Sequence, residues 1–462
     1  MERATVSRKI LRILAGCGAA AIVCSAAPAC RAAAAAERPN FVIILADDMG
    51  YGDASCYGNR RFATPHIDRL AAEGARFTDF HSSGPVCSPT RAGLLTGRYQ
   101  QRAGIDGVIN ADPKANRHHG LQLCEVTFAE LLKRVGYATA VIGKWHLGYE
   151  PRYNPLHQGF DEFHGYVSGN IDYISHYDRM GVYDWWDGLR KTVEPGYSTH
   201  LITRHAIQFL EAHRNEPFCL YIAHEAVHSP WQGPNDPPVR GPEAAPGRAV
   251  RGAQIARAYR EMLQEMDKGV GEVMAALKRL GLEENTLVFF FSDNGATPQG
   301  SNGPFRGFKG SLWEGGHRVP AIARWPGRIK PGRIIDLPAI SLDIAPTLIE
   351  LAGASFSKDR PLDGRSLAPL LLKNRAQPER RLFWAFRNYR AMRQGQWKLL
   401  VPEAQRAGTA KLFDLSRDPG EKTDLAAKEP ARVQAMLKAL KQWEADVRSG
   451  ATPQPARPSA GS

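Results

Sequence analysis

The stretch Asn40–Asp48, NFVIILADD, decides how the rest of the chain is read. An unbroken apolar run, Phe41 to Ala46, ends in two carboxylates. A run without polar alternation marks a strand buried on both faces, as in a parallel sheet between helices. Three later runs repeat the pattern: YATAVIG leads into KWHLG, PFCLYIA into HEAVHSP and NTLVFFF into SDNG. Between them lie helical segments. TFAELLKRVG has Thr127 to cap its start and Gly136 to end it, and HLITRHAIQFLEAH follows. From Ile255 to Leu280 the residues Tyr259, Met262, Leu263, Met266, Val270, Val273, Leu277 and Leu280 share one helical face. Alternating strands and helices predict an α/β fold with a largely parallel sheet. Its strand endings carry Asp47 and Asp48, Lys144 and His146, His228, and Asp293 and Asn294. Ligands of open α/β sheets bind outside the carboxyl ends of the strands, so four reactive endings predict one site.

Working outward, the 462 residues are 43% hydrophobic and 23% charged, enough for a large core and more than one domain. Residues 1–36 read as a secretory signal peptide: a basic start (Arg3, Arg8, Lys9, Arg12), then the small-residue apolar segment ILAGCGAAAIVCSAAPA. The segment is too short and too rich in Ala for a transmembrane helix. It points to a secreted or periplasmic protein. The alternative, a lipoprotein anchor, rests on LAGC, which follows Arg12 too closely, or on APAC ending at Cys30. The formal net charge of +13 attracts polyanions, but no nucleic-acid-binding motif accompanies it. The catalytic domain is expected over residues 37–375. A small α+β subdomain is expected over 376–450, from RLFWAFRNYRAMRQGQWKLLV (strands around a Gln-Gly turn), KLFDL and the amphipathic PARVQAMLKALKQWEADV. Residues 451–462 are expected as a disordered tail.

HEAVH at 224–228 matches the zinc-peptidase pattern but follows a strand, and Pro230 is close behind, so the helix that pattern needs is absent. No nucleophile elbow and no dinucleotide-binding glycine pattern occur. Asp47-Asp48 and Asp293-Asn294 offer hard oxygen ligands at two strand ends, which suits Ca²⁺ or Mg²⁺ better than Zn²⁺. Beyond the presumed signal the cysteines are Cys56, Cys87, Cys124 and Cys219, too few for a disulfide framework. Cys87 stands out because it lies in a turn-like PVCSPTR rather than in an apolar run.

Cys87-Ser88-Pro89-Thr90-Arg91, four residues, then Thr96-Gly97 resembles the sulfatase signature C-x-P-x-R-x(4)-T-G without departure. PNFVIILADDMGYGD, GYATAVIGKWHLG, VFFFSDNG, GFKGSLWEGGHRVPAIARWPG and KLFDLSRDPGEKTDLA resemble sulfatase segments in the family's order. QGFDEFHGYVSGNIDYISH is similar to sulfatases grouped with the arylsulfatase A and N-acetylgalactosamine-6-sulfatase types. The resemblance implies an alkaline-phosphatase-like fold and hydrolysis of sulfate esters, on a sulfated sugar or aryl sulfate. A phosphonate or phosphodiester hydrolase of the same superfamily is the alternative.

By that resemblance Cys87 is oxidised to formylglycine by a formylglycine-generating enzyme. One hydroxyl of the hydrated aldehyde attacks sulfur and the other expels sulfate afterwards. Ca²⁺ is implied on Asp47, Asp48, Asp293, Asn294 and the modified Cys87. Arg91 is implied to hold the hydrate and metal ligands, Lys144 to steady sulfate, and His146 to take the proton that drives elimination. His228 and Lys309 are implied to bind sulfate and protonate the departing alcohol.

Overall fold

The first strand forms where the sequence places it, Asn40–Ala46, and every residue in it is buried. Its side chains split between two cores. Phe41, Ile43 and Leu45 enter one with the helices Phe128–Arg134 and Ile344–Ala352. Val42, Ile44 and Ala46 enter the other with Ser198–Ala212 and Ala253–Arg279. That is why the run is continuously apolar: both faces of the sheet are covered, and each large side chain buried contributes about 1.5–3 kcal/mol. The computed structural model describes residues 38–242, 252–357, 359–375, 377–402 and 410–457; the signal-peptide reading of 1–36 lies outside them.

Ten strands form the main sheet. In spatial order they are Arg333–Ile335, Ala75–Phe77, Ala321–Arg324, Thr286–Ser292, Asn40–Ala46, Phe218–Ala223, Ala138–Lys144, Glu162–Tyr166, Trp186–Asp187 and Arg190–Lys191. The central five, Thr286–Ser292 through Glu162–Tyr166, run parallel. The strand endings read from the sequence therefore all open on one edge. Thr127 caps the Phe128–Arg134 helix in a capping box with Glu130. Among the described residues no helix is long and apolar enough to cross a membrane.

The C-terminal sheet runs Arg381–Phe386, Tyr389–Gln394, Trp397–Val401, Lys411–Asp414, all antiparallel. The Pro430–Arg448 helix packs Val433, Leu437, Leu440 and Trp443 into a third core, shared with Val86 and Leu312 of the preceding domain. One turn was not foreseen. The chain reverses at Arg387-Asn388 as well as at Gly395, with Arg387 at φ 51°. An arginine in the left-handed region gives no compositional turn signal. Residues 451–457, expected as part of a disordered tail, are bonded to the loops at Arg102 and Gly120. Thr452 N donates to Arg102 O at 2.8 Å and Gln454 Oε1 accepts from Gly120 N at 3.0 Å. Tails are held when their backbone groups find partners, whatever their composition.

Candidate active site

The Cys87–Thr96 helix starts at the residue that looked out of place, and all ten of its residues are buried. Cys87 Sγ lies 3.6 Å from Asp47 Oδ1 and 3.5 Å from Lys309 Nζ. Arg91, one turn along the helix and fully buried, donates through Nη2 to Asp293 Oδ2 at 3.1 Å. Its Nη1 donates to the carbonyl of Lys144 at 2.9 Å, so it ties two strand ends to the helix. Lys144 Nζ donates to Asp47 Oδ2. Lys309 Nζ lies 2.6 Å from Asp48 Oδ1. Asn294 Nδ2 donates to Asp48 Oδ1 at 2.8 Å, and Asp48 N to Asp293 Oδ1 at 3.2 Å. His228 Nε2 stands 3.7 Å from Asp48 Oδ2.

Two of the strand-end residues, Asp48 and His146, have positive φ, 63° and 56°. Such backbone costs of order 1–3 kcal/mol for a non-glycine residue and persists only where its surroundings over-determine it. His146 faces the same cavity as Cys87, and its Nε2 donates to Ile109 O at 2.9 Å. Gly169 permits this packing, since a Cβ there would come within 2.6 Å of His146 Nε2.

The sequence-derived residues Asp47, Asp48, Cys87, Arg91, Lys144, His146, His228, Asp293, Asn294 and Lys309 thus meet around one cavity of about 120 Å³ or directly beneath it. His224, the other histidine of HEAVH, is buried away from it, and residues 224–228 are not helical. The aromatic group Tyr183, Trp185 and Trp186, candidate sugar-stacking residues, does not line the cavity either. Trp185 is fully buried and bonded to Glu194. Sequence reasoning missed Asn170, whose Nδ2 lies 3.2 Å from His228 Nδ1 and donates to Ser229 O at 3.0 Å. It also missed the cavity wall at 108–111 and Arg179. Asn170 sits within the SGNID of a segment already singled out, but no spacing rule distinguishes it.

The electrostatics separate these groups. Burial pushes the Cys87 thiol up, but the ammonium groups of Lys144 and Lys309 outweigh it and bring it to about 6. Burial raises Asp47 despite Lys144, and burial together with Asp47 raises Asp293 to about 6. Asp48 stays well below the ordinary carboxylate range, because Lys309 and His228 outweigh its burial. Burial and Lys144 hold His146 well below its ordinary value, hence neutral. His228 is raised: burial and Lys309 oppose its charge, but Asp48 and Asp47 prevail. Ligand atoms of Asp47, Asp48, Cys87 and His228 lie within 4.8 Å of one another, and buried Asn294 Oδ1 has no hydrogen-bond partner. Crowded carboxylates raised by burial, with an orphaned amide oxygen among them, fit a hard cation with oxygen ligands. All four cysteines among the described residues are free.

The sulfatase family profile matches residues 39–354, which span every one of these groups. The chain belongs to the sulfatase family. As a sulfatase it is a sulfuric ester hydrolase. The profile of the N-sulphoglucosamine sulphohydrolase C-terminal region matches residues 305–447, from just before Lys309 through the C-terminal sheet. Steryl-sulfatase of Mus musculus is 33% identical to this sulfatase over 94% of this chain and 85% of its own. N-acetylgalactosamine-6-sulfatase of Mus musculus is 36% identical over 86% of this chain and 76% of its own. Among solved structures, Ps i-CgsB superimposes with a TM-score of 0.79 at 30% identity, covering 90% of this chain and 94% of its own. It has also been solved with k-i-k-neocarrahexaose.

Proposed function

We propose that this sulfatase is an exported hydrolase of sulfate monoesters on carbohydrate, working through formylglycine at position 87 with Ca²⁺. Export rests on the basic and apolar pattern of residues 1–36. The observation that carries the chemistry is Cys87 between Lys309 on one side and Asp47 on the other, under one cavity. A carbohydrate fits that cavity better than a sterol, since Asn110, Asn170 and Arg179 line it and offer hydrogen bonds to hydroxyls. N-acetylgalactosamine-6-sulfatase and Ps i-CgsB, by name and by bound oligosaccharide, point the same way.

Asp47, Asp48, Asp293 and Asn294 would hold Ca²⁺ with the modified residue 87, and the ion would supply charge for a sulfate oxygen and for an acidified hydroxyl. Formylglycine, when hydrated, supplies a hydroxyl nucleophile and an exit that a thiol lacks. The remaining work falls to the chain's own side chains. Lys144 and Lys309 bracket the sulfate and balance charge that develops as the S–O bond breaks. His228 has Nδ1 committed to Ser229 O at 2.6 Å, which leaves Nε2, raised toward its charged form, to protonate the leaving alcohol. His146 donates Nε2–H to Ile109, so its unpartnered Nδ1 is the lone pair that accepts a proton. Arg91 holds Asp293 and the Lys144 backbone in register.

Initial rates on matched aryl sulfate, aryl phosphonate and aryl phosphodiester test this reading. Preference for the sulfate by at least ~10²-fold in kcat/KM is expected. A reversed preference would move the protein to the phosphonate or phosphodiester branch.

A further inference from the structure

The floor of the cavity serves the sulfate that is cleaved, but its wall carries a cation with no part in that chemistry. Arg179 lines the same cavity as Cys87, His146, His228 and Lys309. It is exposed, and its Nη2 donates to Asn110 Oδ1 at 2.7 Å. Asn110 is itself fixed, its backbone N donating to Asn116 Oδ1 at 2.9 Å, and the adjacent Ile109 carbonyl is the one bonded to His146. The wall that orients His146 therefore also orients Arg179. The neighbouring carboxylate, Asp178, is already engaged. Its Oδ1 accepts from Met180 N and Val182 N at 2.8 and 2.9 Å, and its Oδ2 lies 3.9 Å from Arg117. Among the described residues no carboxylate pairs with Arg179.

One Nη of Arg179 is thus spent on orientation, while its other guanidinium nitrogens make no hydrogen bond to the described residues. A planar fork matches a sulfate or carboxylate with two parallel hydrogen bonds. An arginine held by an amide, rather than neutralised by a carboxylate, keeps its full charge for a ligand and binds with little further loss of side-chain freedom. A second arginine reinforces the sign of the field: Arg240 Nη1 donates to Asn170 Oδ1 at 3.0 Å, and Asn170 in turn touches His228.

We propose that Arg179 anchors a second anionic group on the leaving sugar, a further sulfate ester or a uronate carboxylate. The enzyme would then select polyanionic sulfated carbohydrates over singly sulfated neutral ones. This rests on the sulfatase reading and names its substrate class.

The test measures dissociation constants by calorimetry, in a Cys87→Ala background that prevents turnover. The probes are disaccharides bearing one sulfate, two sulfates, or one sulfate and one uronate carboxylate. With Arg179 present, at least one two-anion disaccharide is expected to bind ~10–100-fold more tightly than the singly sulfated one, the range for a charge-assisted hydrogen-bonded pair. Arg179→Gln is expected to erase that ratio, and the probe that loses affinity identifies the second anion. Equal binding of all three probes, no binding, or a ratio that survives Arg179→Gln would overturn the proposal. Wild-type turnover of 4-nitrophenyl sulfate runs alongside. Failure there and on all the sulfated disaccharides removes the proposed hydrolysis whatever the binding ratio, and success with a ratio unchanged by Arg179→Gln removes only the subsite.

Discussion

The molecule buries two sets of ionised side chains, one around Cys87 at the strand ends and one around Lys398 beneath the C-terminal sheet, and balances them differently. In the second set Lys398 Nζ lies 2.9 Å from Glu314 Oε1, 2.9 Å from Glu421 Oε1 and 3.2 Å from His317 Nε2. His317 Nδ1 meets His81 Nδ1 at 3.0 Å, and His81 Nε2 meets Asp79 at 2.8 Å, which also pairs with Arg393. His81, Glu314 and His317 have the spacing of metal ligands, yet the Lys398 ammonium already supplies the cation. Accordingly Lys398 and His81 outweigh burial and hold Glu314 well below the ordinary range, and Arg318 and Arg393 do the same for Asp79. In the first set Asp47 and Asp293 are raised by burial in spite of Lys144 and Arg91, and Asn294 Oδ1 has no partner. Glu421 of the second set is likewise raised by burial in spite of Lys398, so what separates the two sets is that the first opens on a cavity. Ligand-like spacing alone does not mark a site. Ionised groups beside accessible space do.

The sharpest break between the two sets comes from single substitutions. Cys87→Ala is expected to abolish sulfate ester hydrolysis, a loss of at least ~10³-fold, while the melting temperature stays close to wild type. Turnover near the wild-type rate in that variant would erase the distinction. Next in size, chelation of divalent ions is expected to remove most activity and added Ca²⁺ to restore it, as judged by initial rates on an aryl sulfate. Full activity in metal-stripped protein would show that the first cluster needs no added cation.

Lys398→Met strikes the other set. It leaves buried Glu421 without its cation and Glu314 with Arg318 but without the lysine, and removal of one partner of a buried ion pair costs about 3–5 kcal/mol. Denaturant midpoints measure this, and an unchanged midpoint would mean the lysine does not balance the cluster. The smallest effect concerns Glu225, buried near His228 and bonded to Ile171 N at 2.7 Å. Burial raises it from 4.5 to about 8. A raised folded-state value means its contribution to stability is full below the unfolded value and lost as pH rises through the folded one. Melting temperature is therefore expected to fall between about pH 5 and pH 8, and Glu225→Gln to flatten that fall. Parallel curves for the two proteins would contradict it.

Much of the site was legible because the physics that buries the central strands also writes their endings. Phe41 to Ala46 reads as a doubly covered strand, so Asp47 and Asp48 are expected at its carboxyl end, and the same reading places Lys144 and Asp293, with His228 five residues beyond Phe218–Ala223. Lys309 followed from no such rule. It lies in a loop whose Gly310 N reaches Pro85 O at 2.9 Å, and only the family likeness of FKGSLWEGG located it. Asn170, Ile109 and Arg179 were not legible at all. They reach the cavity from loops through a single amide, carbonyl or guanidinium, and loops carry no periodicity. The Arg387-Asn388 turn and the docked residues 451–457 escaped for the same reason: local backbone partners, not composition, decide them.

The central claim is that Cys87 does not act as a thiol. Mass spectrometry of the proteolytic peptide containing it, taken from protein that hydrolyses 4-nitrophenyl sulfate, tests this directly. The expected species is about 18 Da lighter than the thiol peptide, sulfur replaced by oxygen with loss of two hydrogens. Active protein in which that peptide is found wholly as a thiol that iodoacetamide alkylates would contradict it.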